Sequence, residues 1–270
     1  MEGRRYGTRR RYRCFDAGGR ANPFATSPQA SHVIASMGRR ELRLIIRALR
    51  DLVRGFRALQ QAGPCVTVFG SARCAPDHPY YTVGRDIGRR LTHLGFTVMT
   101  GGGPGLMEAV NRGAQDAGGR SVGCNIRLPA EQSPNRYLDR WADCEQFFIR
   151  KVLLCRYSYA FIALPGGFGT MDELFEVLTL IQTGKIEKFP VVMIGRAYWQ
   201  PVVDFLERMV AEGMVERRDL GLALVTDDLD EAMRHIERCT AEQFGLSLVQ
   251  ARNPRAASLS RKAPAAAPFT

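Results

Sequence analysis

The chain has 270 residues, 45% of them apolar, enough for one large α/β domain or two smaller ones with a sizeable core. Of its formal net charge of +11, +5 falls in residues 1–20 and +4 in residues 246–270, which leaves +2 for everything between and excludes a strongly basic nucleic-acid face on the body of the chain. No apolar run approaches the roughly 18 residues that span a bilayer, no apolar core follows the arginines of residues 9–11 to make an export signal, and the seven cysteines include no C-x-x-C pair. A cytoplasmic protein with reduced thiols and no membrane partner is therefore expected, with an organelle transit peptide as a minor alternative for the arginine-rich start.

Residues 1–38 and 246–270 are biased in composition and lack periodicity, so they are read as disordered basic arms. From Arg39 to about residue 62 an amphipathic helix is expected, with Leu42, Ile45, Ile46, Leu49, Leu52, Val53, Phe56 and Leu59 at helical spacing and arginines on the other faces. Such a stripe docks onto the protein's own core, or else lies on a membrane or RNA. Next come "CVTVFGS" (65–71) with a helix near 78–94, and "FTVMTGGG" (96–103) with a helix near 105–117. "SVGCNI" (121–126) is a strand, "RLPAEQSPNRYLDRWAD" is irregular, and "CEQFFI" (144–149) is a strand that passes into the helix carrying Arg150. The series closes with "YAFIALP" (159–165) and a helix over 168–183, "FPVVMIG" (189–195) and a helix over 198–212, and "LALVTD" (222–227) with a helix over 228–239.

Strands alternating with helices imply right-handed crossovers and one doubly wound parallel sheet, a Rossmann-like domain over residues 39–245. Ligands bind such sheets beyond the carboxyl ends of the strands. The turns Gly70-Ser71, Gly101–Gly105 and Gly166–Thr170 are therefore expected to meet on one edge. The last turn leads into a helix with Asp172 and Glu173 placed in its first turn. A helix start trimmed to glycine offers unpaired N–H groups and partial positive charge to a phosphate. The plainer reading is a tight strand-to-helix turn with Thr170 as N-cap. For NAD the G-x-G-x-x-G spacing fails, with Leu106 or Glu108 in the sixth place, and no acid ends the second strand. No G-x-x-x-x-G-K-[ST] occurs, and His32, His78, His93 and His235 lack metal spacing. Neither a metal nor an organic cofactor is expected.

"PGGFGTMDE" (165–173), "GGGPGLMEA" (101–109) and the Arg-Lys pair at 150 and 151 together resemble the Lonely Guy family of nucleoside 5′-monophosphate phosphoribohydrolases, whose bacterial relatives were long labelled lysine decarboxylases. The resemblance covers about residues 64–240. It implies a homodimer or larger homo-oligomer that hydrolyses the N-glycosidic bond of AMP or a cytokinin riboside monophosphate to free base and ribose 5-phosphate. It also places the catalytic arginine on Arg150 and the catalytic glutamate on Glu173, at the family's spacing of 23 residues. "FFI" before Arg150 stands where plant members read Met-His-Gln, and Asp172-Glu173 where they read Glu-Glu, so base preference is open.

The residue types suit that chemistry. Cleaving a ribosyl C–N bond builds positive charge on the sugar, which a fixed carboxylate stabilises more in the transition state than in the ground state. Glu173 takes that role or positions the water. Arg150 stays charged and so orients phosphate or carboxylate, or hydrogen-bonds the departing base. Gly166, Gly167, Phe168, Gly169, Thr170 and Lys151 are assigned to the phosphate corner. Ser71, Gly102, Gly103, Met107, Glu108 and Thr179 are assigned to the remaining lining. A pyridoxal-phosphate decarboxylase would need a Schiff-base lysine, and no sequence context gives Lys151, Lys185 or Lys188 that role. Two other readings stay open: a nucleotide carrier of the same fold without catalysis, and RNA binding through the tails.

Overall fold

The structure is a computed structural model that describes residues 38–128 and 133–246. The two basic arms lie almost wholly outside these residues. Residues from Leu44 onward group into one compact unit, and residues 38–43 before it begin the first helix. In chain order the elements are α1 (Arg39–Leu59), β1 (Cys65–Phe69), α2 (Pro79–His93), β2 (Thr97–Thr100), α3 (Leu106–Asp116), β3 (Ser121–Ile126), β4 (Arg140–Cys144), α4 (Phe147–Arg156), β5 (Ser158–Ala163), α5 (Phe168–Gln182), β6 (Val191–Ile194), α6 (Arg196–Ala211), β7 (Ala223–Thr226) and α7 (Leu229–Phe244). A 3-10 turn, Arg217–Leu222, precedes β7.

The strands form one seven-stranded sheet in the order β4-β3-β2-β1-β5-β6-β7, and every neighbouring pair is parallel. The chain lays strands outward from β1 to β4, then returns and lays β5 to β7 on the other side. The direction reverses between β1 and β5, and that is where an open α/β sheet has its binding crevice. Strands β1, β2, β3, β5 and β6 are buried along their whole length because helices cover both faces, which is why each reads as a near-continuous apolar run. One core holds Leu153, Leu154, Leu174 and Trp199 with Leu59 at the end of α1; the other holds Ile87, Leu91, Leu106, Val110 and Ile236.

Two expectations are corrected. The strand placed at 144–149 lies earlier, at Arg140–Cys144, while its last residues pass into the helix carrying Arg150 as expected, with Phe147 and Phe148 opening α4. β4 is an edge strand with its first two residues exposed, so it carries no apolar run to betray it. Helix α1 also divides its apolar residues. Leu59 is buried and Leu52 and Phe56 pack on the core, and the buried Asp51 carboxylate accepts the Glu145 N–H at 2.8 Å, but Ile45, Ile46, Leu49 and Val53 are exposed. Among the described residues no helix is long and apolar enough to cross a membrane.

Candidate active site

The three expected turns do meet, and they meet backbone to backbone. Ser71 N–H donates to Pro165 O at 3.0 Å, and Ser71 O accepts Leu106 N–H at 2.9 Å, so the turn after β1 is sewn both to the turn after β5 and to the head of α3. The Ser71 hydroxyl accepts Arg73 N–H at 3.1 Å. Gly105 has φ +70°, and a Cβ there would stand 2.5 Å from Ser71 O, which no side chain tolerates. A Cβ on Gly166 would stand 2.1 Å from the Thr170 hydroxyl and 3.1 Å from Ser71 N. Tyr198, near the start of α6, donates its hydroxyl to Gly166 O and so fixes the same corner from the far side.

Helix α5 starts at Phe168, with Gly167 as an N-cap in extended conformation and no side chain capping it. Thr170 is therefore not the N-cap. It is buried, its hydroxyl stands beside Gly166, and its N–H closes the first intrahelical bond, to Gly167 O at 3.0 Å. Asp172 and Glu173 belong to the second turn, and the first turn carries no acid. The helix starts where the sequence places it, at residue 168, but a first turn counted from there ends before Asp172, so the two acids expected in it fall one turn later. The correction strengthens the phosphate reading: the amides of Phe168 and Gly169 precede the first intrahelical bonds, the helix dipole there has no carboxylate in the first turn to offset it, and a Cβ on Gly167 or Gly169 would meet nothing within 4 Å. Phe168 itself is 96% exposed.

Arg150 reaches this corner from α4. Its Nε donates to Cys124 O, in β3, at 2.9 Å. Its Nη2 rests against Gly101, where a Cβ would stand 2.2 Å from that nitrogen and 2.8 Å from Met107 Sδ. Its Nη1 faces Glu173 Oε1 at 3.7 Å, with side chains 13% and 5% exposed. That separation exceeds a hydrogen bond, so the two charges face each other without closing into a contact pair. Burial raises the Glu173 carboxyl above its ordinary 4.5, and the nearby Arg150 and Lys151 cations pull it back only in part.

The other expected residues divide. Met107 stands beside Arg150 at Gly101, and Gly102 and Gly103 continue that loop. Glu108 accepts the Tyr81 hydroxyl at 3.1 Å. Lys151 is engaged elsewhere: its ammonium pairs with Asp172 Oδ1 at 3.0 Å and with Glu176, in the seam between α4 and α5. Thr179 is exposed, three turns along α5 from Phe168, with its hydroxyl donating to Phe175 O at 2.7 Å. It is not brought to the Arg150–Glu173 pair. Sequence reasoning missed Cys124, whose contribution is a carbonyl, and Tyr198, which comes from a different crossover; neither leaves a local signal. Among the described residues no group of His, Cys, Asp and Glu could hold a metal ion.

A doubly wound parallel sheet with a glycine-lined crevice at its switch point defines the general class, a Rossmann-like α/β protein. A family profile described as "Possible lysine decarboxylase" matches residues 107–236. The cytokinin riboside 5′-monophosphate phosphoribohydrolase of Mycobacterium marinum is 31% identical over 171 residues, 62% of this chain and 91% of that protein. A probable enzyme of the same name from rice is 34% identical, over 61% of this chain and 69% of that protein. The chain belongs to this Lonely Guy family. Among solved structures, the X-ray structure of TM1055 is 26% identical with a TM-score of 0.50, covering 65% of this chain and 99% of that one. A molybdenum cofactor carrier protein from Chlamydomonas reinhardtii, 22% identical with a TM-score of 0.51, shares the fold over 66% of this chain and 99% of its own.

Proposed function

We propose that this protein hydrolyses the N-glycosidic bond of a purine nucleoside 5′-monophosphate, AMP or a cytokinin riboside monophosphate, to free base and ribose 5-phosphate. The observation that carries this reading is the buried Arg150–Glu173 pair beside the uncapped, glycine-lined head of α5. The amides at Phe168 and Gly169 hold the 5′-phosphate, with the Thr170 hydroxyl beside Gly166 in the same turn. The ribose then lies toward Glu173, whose carboxylate stabilises the positive charge that develops as the C1′–N bond lengthens. Water adds its oxygen to C1′, and the base departs with a proton in place of the sugar. Arg150 stays cationic and keeps the carboxylate oriented. A lysine Schiff base fits poorly, because Lys151 is engaged by two carboxylates and Lys185 and Lys188 are exposed beyond α5.

A panel of nucleoside monophosphates, assayed for free base and for ribose 5-phosphate in equal amounts, tests the reading. Tight AMP binding with no base released would make the protein a carrier instead. The raised carboxyl gives a second check. Glu173 must be ionised to act, so kcat/KM for AMP falls as the pH is lowered, with a midpoint above the ordinary 4.5 of a glutamate. A pH–rate profile whose acid limb lies below that value would count against Glu173.

The same reading includes a homo-oligomer. Exposed large apolar side chains occur on α1, α4, α5 and α6, among them Ile46, Leu49, Phe148, Phe168 and Phe205, whereas among the described residues α2, α3 and α7 expose none. Among the described residues the helices that expose such side chains are those of one layer, and a second copy of the chain covers it. Leu49→Glu, on an exposed face, should shift the protein toward the monomer in light scattering while leaving the melting temperature of the fold nearly unchanged.

A further inference from the structure

We propose that Asn135, in the segment between β3 and β4, is a positioning residue for Arg150, acting through the glycine loop after β2. The inference rests on the hydrolase reading above. Asn135 is 9% exposed and belongs to none of the motifs that mark the site. Its N–H donates to Gly102 O at 2.9 Å. Its Nδ2 lies 3.2 Å from the same carbonyl, 3.0 Å from Gly103 O and 3.0 Å from Asn111 Oδ1, and its Oδ1 accepts Tyr137 N–H at 3.1 Å.

Asn111 extends the network into the core. Its Oδ1 accepts the Thr100 hydroxyl at 2.7 Å, and its Nδ2 donates to the Ser121 hydroxyl at 2.8 Å. The Thr100 hydroxyl in turn accepts Gly102 N–H at 3.0 Å. Thr100, Asn111 and Ser121 are fully buried, and no buried side-chain polar atom among the described residues is left without a partner. A fully satisfied buried polar network holds one geometry.

What it holds is the loop. Gly102 is gripped at its N–H by Thr100 and at its carbonyl by Asn135, with φ at +76°. The peptide plane between Gly101 and Gly102 is thereby set, and with it the Gly101 surface on which Arg150 Nη2 rests. Arg150 is held at three places: Cys124 O, Glu173 and this glycine. Asn135 governs the third without touching the arginine. Loss of its amide donor releases Gly103 O and leaves Gly102 O with the Asn135 backbone N–H alone, so the loop loosens and Arg150 shifts with it while the phosphate corner at α5 stays in place.

The experiment compares Asn135→Ala with the isosteric Asn135→Asp, which keeps the acceptor for Tyr137 N–H but loses the donor to the loop. A core substitution in the opposite layer, Ile236→Val, serves as a control for simple destabilisation. Each is assayed with AMP and followed by the Arg150 Nε–H resonance, assigned with Arg150→Lys. Both Asn135 variants should lose about 10- to 100-fold in kcat, as misplacement of a catalytic group does, with KM changed less than about threefold and the Arg150 resonance moved. Ile236→Val should change neither. A loss carried in KM alone, an unmoved Arg150 resonance, or equal losses in the control would overturn the proposal. If wild-type protein frees no base from AMP, the hydrolase reading fails, and the resonance together with ribose 5-phosphate binding still decides whether Asn135 sets Arg150.

Discussion

Glu173→Gln should lower base release from AMP by about 10³-fold while AMP affinity stays within a few-fold of wild type. Glutamine keeps the volume and buried packing of the side chain, so the difference measures charge alone. Glu173 is buried and its nearest cation stands 3.7 Å away, outside hydrogen-bond distance. A carboxylate held in that way costs more to keep ionised than one in water, and the cost is recovered when a sugar cation forms beside it. The amides at the head of α5, proposed above to hold the phosphate, belong to the preceding turn and are unaffected, so binding should survive. Single-turnover assays combined with equilibrium AMP binding separate the two quantities. A variant that loses affinity in step with rate would show Glu173 to be a binding residue.

Gly101→Ala should be nearly as damaging to activity, by about 10²-fold, with a melting temperature within a few degrees of wild type. The added Cβ would stand 2.2 Å from Arg150 Nη2 and 2.8 Å from Met107 Sδ. Both are the ends of long side chains, so the fold yields by moving them rather than by breaking. Met107 moves freely enough. Arg150 does not, because its Nε is tied to Cys124 O and its Nη1 faces Glu173. A methyl group is thereby converted into a displaced guanidinium. Thermal melts and kcat measured on the same preparation check it; unaltered kcat would show that the contact with Gly101 does not matter.

Much of this was legible from the residues. β-strands buried on both faces announce themselves as apolar runs, and the glycines that end them announce the turns, so the sheet and its crevice followed from chain order. Arg150 and Glu173 were legible because their spacing and neighbours survive as a resemblance. What escaped was of two kinds. β4 depends on where an element begins, and "RWADC" looks irregular until its neighbours are known. The grip of Asn135 on Gly102, of Cys124 O on Arg150 and of Tyr198 on Gly166 joins residues 33, 26 and 32 positions apart. Such bonds exist only once the crossovers have folded, and no local pattern encodes them. The partners of Lys151 were hidden in the same way, since its proximity to the loops in sequence concealed two acidic side chains on α5.

The sheet order also bears on how the molecule comes into being. β1 has β2 as one neighbour and β5 as the other, and the β1–β5 register matches Val66 with Ala160 and Phe69 with Ala163. The second pairing joins stretches almost a hundred positions apart, a slow closure for a polypeptide. During synthesis the first four strands can assemble while the crevice is still missing one wall. Competence to hold the proposed nucleotide should therefore arrive late and all at once, and a ligand that bridges the two walls should slow unfolding as much as it favours the native state.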